Sequence, residues 1–175
     1  MTPRYIKLFQ YGSNMNPARL NSEERLQGAA VVIGMARLWG WGIRFDLYSG
    51  GNNRCGVTDM VQRPQEHVDG VLYEVPYRLV VASRGQRSRM DVIEGAGLGR
   101  DSNYLQRKVL VSIKGGTVEA RTYVGTAAGR DRFLRCPVED RRVSRDYFAH
   151  VLRGARLFRL SAKYISYLRR QAGLR

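Results

Sequence analysis

Runs of apolar, β-branched and aromatic positions predict strands over much of the first half of the chain. Residues 4–11 (RYIKLFQY) are apolar on both faces, as expected of a central strand. Residues 29–45 are rich in β-branched and aromatic side chains and predict one or two strands with a bend near Gly40 and Gly42. Two further strands are predicted at residues 57–64 and 67–76, each ending at a proline. The first half of the chain is therefore expected to form a sheet.

The second half of the chain changes from a strand pattern to a helical one. Residues 104–113 and 117–125 alternate on either side of a Lys-Gly-Gly turn, which predicts an antiparallel hairpin. In residues 143–158 and 161–173, apolar positions recur at spacings of three and four. Two amphipathic helices are predicted there, each preceded by a serine that can cap it.

The remaining segments predict short helices and loops. Residues 17–27 predict a short helix, and residues 76–95 predict a helical segment ended by a glycine. Residues 46–56 are polar and rich in glycine and asparagine, which predicts a loop, and residues 95–103 predict a flexible connection. This order of elements predicts a single α+β domain over the whole chain, with an antiparallel sheet able to curl into a barrel.

Charge is the feature of the composition that departs most from an average protein. Thirty basic residues stand against 15 acidic ones, a net charge of +15, which raises the hypothesis of a nucleic-acid partner. The basic residues are spread along the whole chain, and no pattern of a recognition helix or of an aromatic-studded binding strand accompanies them. We therefore do not expect nucleic-acid binding to be the main function.

Cysteines and histidines are too few to support a disulfide framework or a metal site. Cys55 and Cys136 are the only cysteines, and His67 and His150 lie far apart without the spacing of metal ligands. We expect reduced thiols, no metal and no cofactor. The sequence shows no signal peptide and no run of apolar residues long enough for a membrane span, so a cytoplasmic protein is expected.

The first predicted strand runs into Tyr11-Gly12-Ser13-Asn14, and this junction has two interpretations. Asn16 can cap a helix that begins at Pro17, so the chain passes from strand to loop to helix. Outward-pointing N–H groups beside a helix start form a site for a carboxylate or a phosphate. An ordinary strand-to-helix turn gives the same local pattern.

Glu94 stands out among the few acidic residues. It follows Ile93 at the C-terminal end of a predicted helix, where the helix dipole and an apolar neighbour both disfavour ionisation. These conditions suit a general base with a raised pKa. A solvated carboxylate at a helix end is the alternative.

A series of motifs resembles the successive blocks of the gamma-glutamylcyclotransferase family, in the family's order. The resemblance covers roughly residues 5–168 and rests on the linked set, because each block alone is weak. The blocks are YGSN, ARLWGWGIRFDLYSGG, VDGVLYEVP, MDVIEG, YLQRKVLV, ARTYVG and DYFAHVLRGARLFRLSAKYISYL.

The resemblance implies a small, mixed and mainly antiparallel β-barrel flanked by α-helices. It also implies a reaction in which the α-amine of a γ-glutamyl compound attacks its own γ-carbonyl, giving 5-oxoproline and releasing an amine or amino acid. Glu94 matches the catalytic position, and Asp91 matches the pattern with an expected structural role. Substrate binding is implied for the YGSN loop (Tyr11, Gly12, Ser13 and Asn14) and for Tyr147.

Two other functions remain open from the sequence. One is a non-catalytic protein of the same fold that binds a small anion in its pocket. The other is an arginine-rich nucleic-acid-binding protein. If the protein is an enzyme, its basic composition suits a leaving group that is itself acidic or bears phosphates.

Overall fold

The computed structural model describes residues 4–51, 54–97 and 102–174, and its centre is a closed barrel of five strands. The order of strands around the barrel is β1, β3, β2, β4 and β5. The strands are β1 (Tyr5–Gln10), β2 (Val31–Ser49), β3 (Cys55–Pro76), β4 (Tyr104–Ile113) and β5 (Gly116–Gly125).

The barrel is mixed and mainly antiparallel, which confirms the expected fold class. β1 pairs antiparallel with β3, with Phe9 opposite Leu72, and β4 and β5 form the predicted hairpin. A single parallel pairing, Leu8 with Arg121, joins β1 to β5 and closes the barrel. Because Leu8 and Phe9 are fully buried, β1 is the central strand that its two apolar faces predicted.

β2 and β3 form one long hairpin, which corrects two expectations. Residues 57–64 and 67–76 belong to one continuous strand, and most of the predicted loop at 46–56 is strand. Trp39 pairs with His67 and Trp41 with Gln62, so the register shifts where Gly40 has a φ of 81°. Pro64 lies within this irregularity, between the paired residues 62 and 67, where its missing N–H interrupts no regular ladder.

Within the described ranges, six α-helices surround the barrel. They are α1 (Pro17–Leu20), α2 (Tyr77–Val80), α3 (Arg89–Glu94), α4 (Ala127–Arg135), α5 (Arg145–Leu157) and α6 (Ala162–Gln171). The two C-terminal helices are confirmed, with Ser144 and Ser161 as their caps. None of the helices in the described ranges has both the length and the apolar character needed to cross a membrane.

Two helical expectations need correction, and one helix was not expected. The helix predicted at 17–27 ends at Leu20, and residues 21–28 continue as turns. The segment 76–95 divides into α2 and α3 around Gly85, which has a φ of 79°. α4 was not predicted, because its sequence AAGRDRFLR has few apolar residues to mark a buried face.

α5 packs against the segment that follows β1. Val151 and Ala155 are fully buried, and the chain approaches Gly154 so closely that a Cβ there would lie 2.6 Å from the Met15 Cβ. A larger residue at position 154 would displace the 3₁₀ turn Ser13–Met15. The helix thereby fixes the position of the YGSN loop.

Candidate active site

One cavity of about 390 Å³ opens beside the start of α5, and all six candidate site residues line it. The YGSN loop forms one wall, Glu94 comes from the end of α3, and Tyr147 comes from the first turn of α5. The structure thus brings together residues that lie up to 136 positions apart, from Tyr11 to Tyr147.

The YGSN loop leaves β1 and enters the 3₁₀ turn Ser13–Met15. Tyr11 is buried and its hydroxyl donates a hydrogen bond to the Tyr123 carbonyl at 2.7 Å. The Gly12 carbonyl accepts from the Met15 amide at 3.0 Å, which closes the turn. In the described part of the chain, no protein group accepts a hydrogen bond from the Ser13 and Asn14 amides, as expected for the first amides of a helical turn.

Gly12 is required by a close approach to β3. A Cβ at this position would lie 2.2 Å from the Thr58 Oγ1 and 3.3 Å from the Tyr147 hydroxyl oxygen. The φ of Gly12 is −107°, so steric space, and not backbone conformation, is what excludes a larger residue.

The cap after the loop agrees with the sequence. The Asn16 Oδ1 accepts a hydrogen bond from the Ala18 amide at 3.2 Å, and Pro17 occupies the first helical position of α1. The strand, loop and helix start therefore follow one another as predicted.

Glu94 is the last residue of α3, and its carboxyl group is held against the YGSN loop. The Asn14 Nδ2 donates to the Glu94 Oε1 at 2.9 Å, and the Gln10 side chain also hydrogen-bonds to Glu94. Burial raises the pKa of Glu94, and this effect exceeds the opposing ones of the Asn14 hydrogen bond and the Arg25 charge. The carboxyl is therefore protonated more readily than a solvated glutamate, which agrees with one of the two interpretations of Glu94 that the sequence left open.

α3 is anchored at both ends. Ser88 and Asp91 form a capping box, with the Asp91 amide donating to the Ser88 Oγ at 3.0 Å and the Ser88 amide donating to the Asp91 Oδ2 at 2.8 Å. The Tyr123 hydroxyl donates to the other Asp91 oxygen at 2.8 Å. Gly95 ends the helix in the left-handed conformation, with a φ of 68°. Asp91 has the structural contacts that were expected of it.

Tyr147 contacts the loop and β3 at once. Its hydroxyl accepts a hydrogen bond from the Thr58 amide at 3.0 Å and shares a second one with the Thr58 Oγ1 at 2.7 Å. Burial raises the pKa of Tyr147, so the phenol stays neutral. The Ser144 cap fixes the helix start that carries it, through a hydrogen bond from the Tyr147 amide at 3.2 Å.

Sequence reasoning missed the arginines of the site. The Arg25 Nη1 donates to the Asn14 Oδ1 at 3.2 Å, and the Arg19 Nε donates to the Ser13 Oγ at 3.2 Å. Both lie in the segment predicted as a helix at 17–27, and the turns after Leu20 bring Arg25 back to the loop. Burial and the neighbouring Arg19 lower the pKa of Arg25, but an arginine keeps its charge at neutral pH.

The site therefore combines one proton acceptor with several groups for anions. Asn14 bridges Glu94 and Arg25, so a single side chain aligns the acid and the cation. Nowhere in the described ranges do three or more His, Cys, Asp or Glu side chains come together as a group that could hold a metal ion. The arrangement can accept and return a proton beside a bound carboxylate or oxyanion.

Solved structures of the same fold include proteins that are only distantly similar in sequence. The uncharacterized protein loc79017 from Homo sapiens is 22% identical, with a TM-score of 0.71 over 94% of this chain and 86% of that one. A protein described as gamma-glutamyl cyclotransferase is 20% identical, with a TM-score of 0.68 over 95% of this chain and 87% of that one. YkqA from Bacillus subtilis is 23% identical, with a TM-score of 0.72 over 99% of this chain but only 55% of its own length.

The family comparison extends over most of the sequence. No curated protein is similar enough to this chain to count as a match. The family model described as gamma-glutamyl cyclotransferase, AIG2-like, matches residues 8–148, which include the YGSN loop, Glu94 and Tyr147. The chain therefore belongs to the gamma-glutamyl cyclotransferase, AIG2-like family.

Proposed function

We propose that the protein is a cofactor-free cyclotransferase that cleaves a γ-glutamyl amide and forms 5-oxoproline. The observation that carries the proposal is the contact between Glu94 and the YGSN loop, where the Asn14 Nδ2 lies 2.9 Å from the Glu94 Oε1. This contact joins a carboxyl of raised pKa to a loop whose Ser13 and Asn14 amides have no hydrogen-bond acceptor among the described residues, and both line one cavity.

Glu94 acts first as a base and then as an acid. It takes a proton from the α-ammonium group, and the free amine nitrogen then bonds to the γ-carbonyl carbon to give a tetrahedral intermediate. The bond from that carbon to the leaving nitrogen breaks as Glu94 returns the proton to that nitrogen. The ring nitrogen then gives its second proton to the Glu94 carboxylate, and this proton leaves with the released amine as an ammonium group. The products are 5-oxoproline and an amine or amino acid, and no water is consumed. A raised pKa suits both steps, because the carboxyl must gain and lose a proton near neutral pH.

The YGSN loop stabilises the negative charges of the substrate. The α-carboxylate is present throughout, and the γ-carbonyl oxygen becomes negative when the amine attacks. The Ser13 and Asn14 amides can donate to these oxygens, with Arg19 and Arg25 adding positive charge around them. Tyr147 supports the loop from the other side through Thr58.

Ring closure is intramolecular, so the main task of the cavity is to hold the glutamyl chain folded. A bound near-attack conformation supplies much of the rate without further chemistry. The name of one structural neighbour, gamma-glutamyl cyclotransferase, supports the same class of reaction.

The test is to identify the product that the purified protein forms from a panel of γ-glutamyl amino acids, γ-glutamyl amines and glutathione. We expect 5-oxoproline by mass spectrometry, in equal amount to the released amine. Each substrate has a matched control with its α-amine acetylated, which blocks cyclisation and leaves the amide bond open to hydrolysis. Release of glutamate, or cleavage of an acetylated control, would contradict the proposal. Binding without turnover of any member would favour the non-catalytic alternative.

A further inference from the structure

A second polar group lies in the same cavity, built from residues other than those around Glu94. Arg132 of α4 donates from its Nε and Nη2 to the Asn103 Oδ1, at 3.2 and 2.8 Å. The Asn103 Nδ2 in turn donates to the Tyr48 carbonyl at 3.3 Å. Arg132, Asn103 and Tyr48 all line the cavity, and none of them takes part in the hydrogen bonds that join Asn14 to Glu94 and Arg25.

Arg132 is held in place by a neutral group. Among the described residues, its side-chain hydrogen bonds go to an amide oxygen, and no carboxylate forms an ion pair with it. Arg130, two positions earlier, contrasts with it, because its Nη2 lies 2.6 Å from the carboxylate of Asp59. The charge of Arg130 is thus neutralised inside the protein, whereas that of Arg132 faces a cavity with Glu94 as its single lining carboxyl among the described residues.

The guanidinium of Arg132 has capacity left for a ligand. An arginine carries five N–H donors, and the bonds to Asn103 use the Nε and one Nη nitrogen. The remaining donors suit a carboxylate, which a guanidinium binds with charge-assisted hydrogen bonds. Because Asn103 already fixes the side chain, binding such a group costs little further ordering.

Arg132 lies at the end of the cavity suited to the leaving group of the substrate, and not at the end suited to the glutamyl part. The glutamyl amine must lie near Glu94, beside the YGSN loop. Tyr48, Ser49 and the exposed Gly50, at the tip of the β2–β3 hairpin, line the cavity together with Asn103 and Arg132. This end of the cavity therefore borders the solvent, where the part of the substrate that is released must lie.

We propose that Arg132 is a specificity-determining residue that binds a carboxylate on the leaving group. The inference rests on the proposed function and narrows its substrate class to γ-glutamyl compounds whose released amine carries a carboxylate. Neutral γ-glutamyl amines are then poor substrates, because they leave the cation at this end of the cavity without a partner.

The test uses two substrates that differ by one carboxylate, γ-glutamylalanine and γ-glutamylethylamine. For the unchanged protein we expect kcat/KM to favour γ-glutamylalanine by about tenfold or more, the range of a hydrogen bond to a charged group. Arg132→Gln is expected to remove the preference by lowering kcat/KM for γ-glutamylalanine alone. Arg132→Lys keeps the positive charge but lacks the paired N–H donors of a guanidinium, so it should retain part of the preference for γ-glutamylalanine. Arg135 is an exposed arginine on the same helix, outside the cavity lining, so Arg135→Gln should retain the full preference for γ-glutamylalanine.

Binding of the same two compounds, measured by calorimetry, separates this inference from the proposed function. If neither compound yields 5-oxoproline but the protein binds γ-glutamylalanine more tightly, and Arg132→Gln removes that difference, the reaction is wrong and the role of Arg132 stands. An equal loss of affinity for both compounds in a folded Arg132→Gln variant would overturn the inference, because Arg132 would then bind the glutamyl part of the substrate. Equal affinity of the unchanged protein for the two compounds, or binding of neither, would overturn it as well.

Discussion

Position 12 requires glycine because the Thr58 side chain, which packs against it, leaves no space for a Cβ. The space that a Cβ would need is occupied by the Thr58 Oγ1, at 2.2 Å, and the Tyr147 hydroxyl lies behind it. Thr58 cannot move freely, since both its amide and its hydroxyl bond to Tyr147. The loop, β3 and α5 therefore meet at a point where no side chain fits.

Gly12→Ala is expected to lower the free energy of unfolding by about 1–3 kcal/mol, the usual cost of overpacking. Urea unfolding measures this loss. Thr58→Ala removes the clashing oxygen and leaves the alanine methyl at an ordinary distance of 3.4 Å from the residue 58 Cβ. The double variant should therefore lose less stability than the sum of the two single variants. Strictly additive losses would show that the clash with Thr58 is not what requires glycine.

The residues of the site differ in how far sequence could predict them. Glu94 and the YGSN loop carry local signals, a helix end and a strand-to-helix junction, and the family resemblance linked them to Tyr147. Arg25 carries no such signal, because it reaches Asn14 only through the turns that follow Leu20. Arg132 carries no local signal either, because only the folded structure shows that it lines the cavity.

At the scale of elements, α3 is a short helix that brings Glu94 to the cavity together with Val92 and Ile93. It has six residues, too few to be stable alone, so its capping box and the Tyr123 bond to Asp91 must hold it. The position of the Glu94 carboxyl then depends on how well that helix is fixed.

Ser88→Ala is expected to cost about 0.5–2 kcal/mol of stability and to lower kcat, because it loosens the helix that carries Glu94. Ser161→Ala is the matched control: it removes an equivalent cap, the bond from the Tyr164 amide at 3.1 Å, from α6, which does not line the cavity. Thermal unfolding and steady-state kinetics on both variants make the comparison. Equal kcat losses in the two variants would mean that general destabilisation, and not the position of Glu94, sets the rate.

The elements that sequence predicted well are those with a clear hydrophobic period. The β4–β5 hairpin and helices α5 and α6 each bury one face, so their patterns are readable. β3 was predicted as two strands because a proline such as Pro64 usually ends a strand. Only the pairing of β3 with β2 shows that Pro64 lies in an irregular part of the ladder. α4 was missed because Leu134 is exposed and the helix has no continuous apolar face.

At the scale of the whole molecule, the site has a cost in stability. Burial raises the pKa of Glu94, so the folded protein binds this proton more tightly than the unfolded chain does. The resulting stabilisation is complete below the ordinary pKa of an unfolded glutamate, about 4.3, and is lost as the pH rises through the raised value. Above the ordinary pKa of a glutamate, the raised pKa of Glu94 therefore lowers the stability of the folded protein relative to a residue that does not ionise.

Glu94→Gln removes the ionisable group and is expected to raise the free energy of unfolding at pH 7.5 by about 0.5–2 kcal/mol, because the raised pKa no longer opposes folding. The gain should shrink toward zero as the pH falls below about 4.3, where the glutamate itself is neutral. Urea unfolding across this pH range measures the difference. Glu139→Gln, at an exposed position, should show no comparable gain at any pH. A Glu94→Gln variant less stable than the unchanged protein at pH 7.5 would contradict the account of burial.

The barrel and the net charge belong to the whole molecule as well. The class of fold was predictable because alternating strands and amphipathic helices recur in order, but the parallel pairing of β1 with β5 that closes the barrel leaves no mark in the sequence. The charge of +15 is a property of the whole surface and does not identify the site.

The initial rates of 5-oxoproline formation by the unchanged protein and by Glu94→Gln decide whether Glu94 moves the proton. We expect that the variant, folded and still able to bind substrate, loses activity by about 100-fold or more, the usual contribution of a general acid–base. Glu139→Gln should keep the full rate. Comparable rates for the unchanged protein and Glu94→Gln would contradict the claim that Glu94 moves the proton.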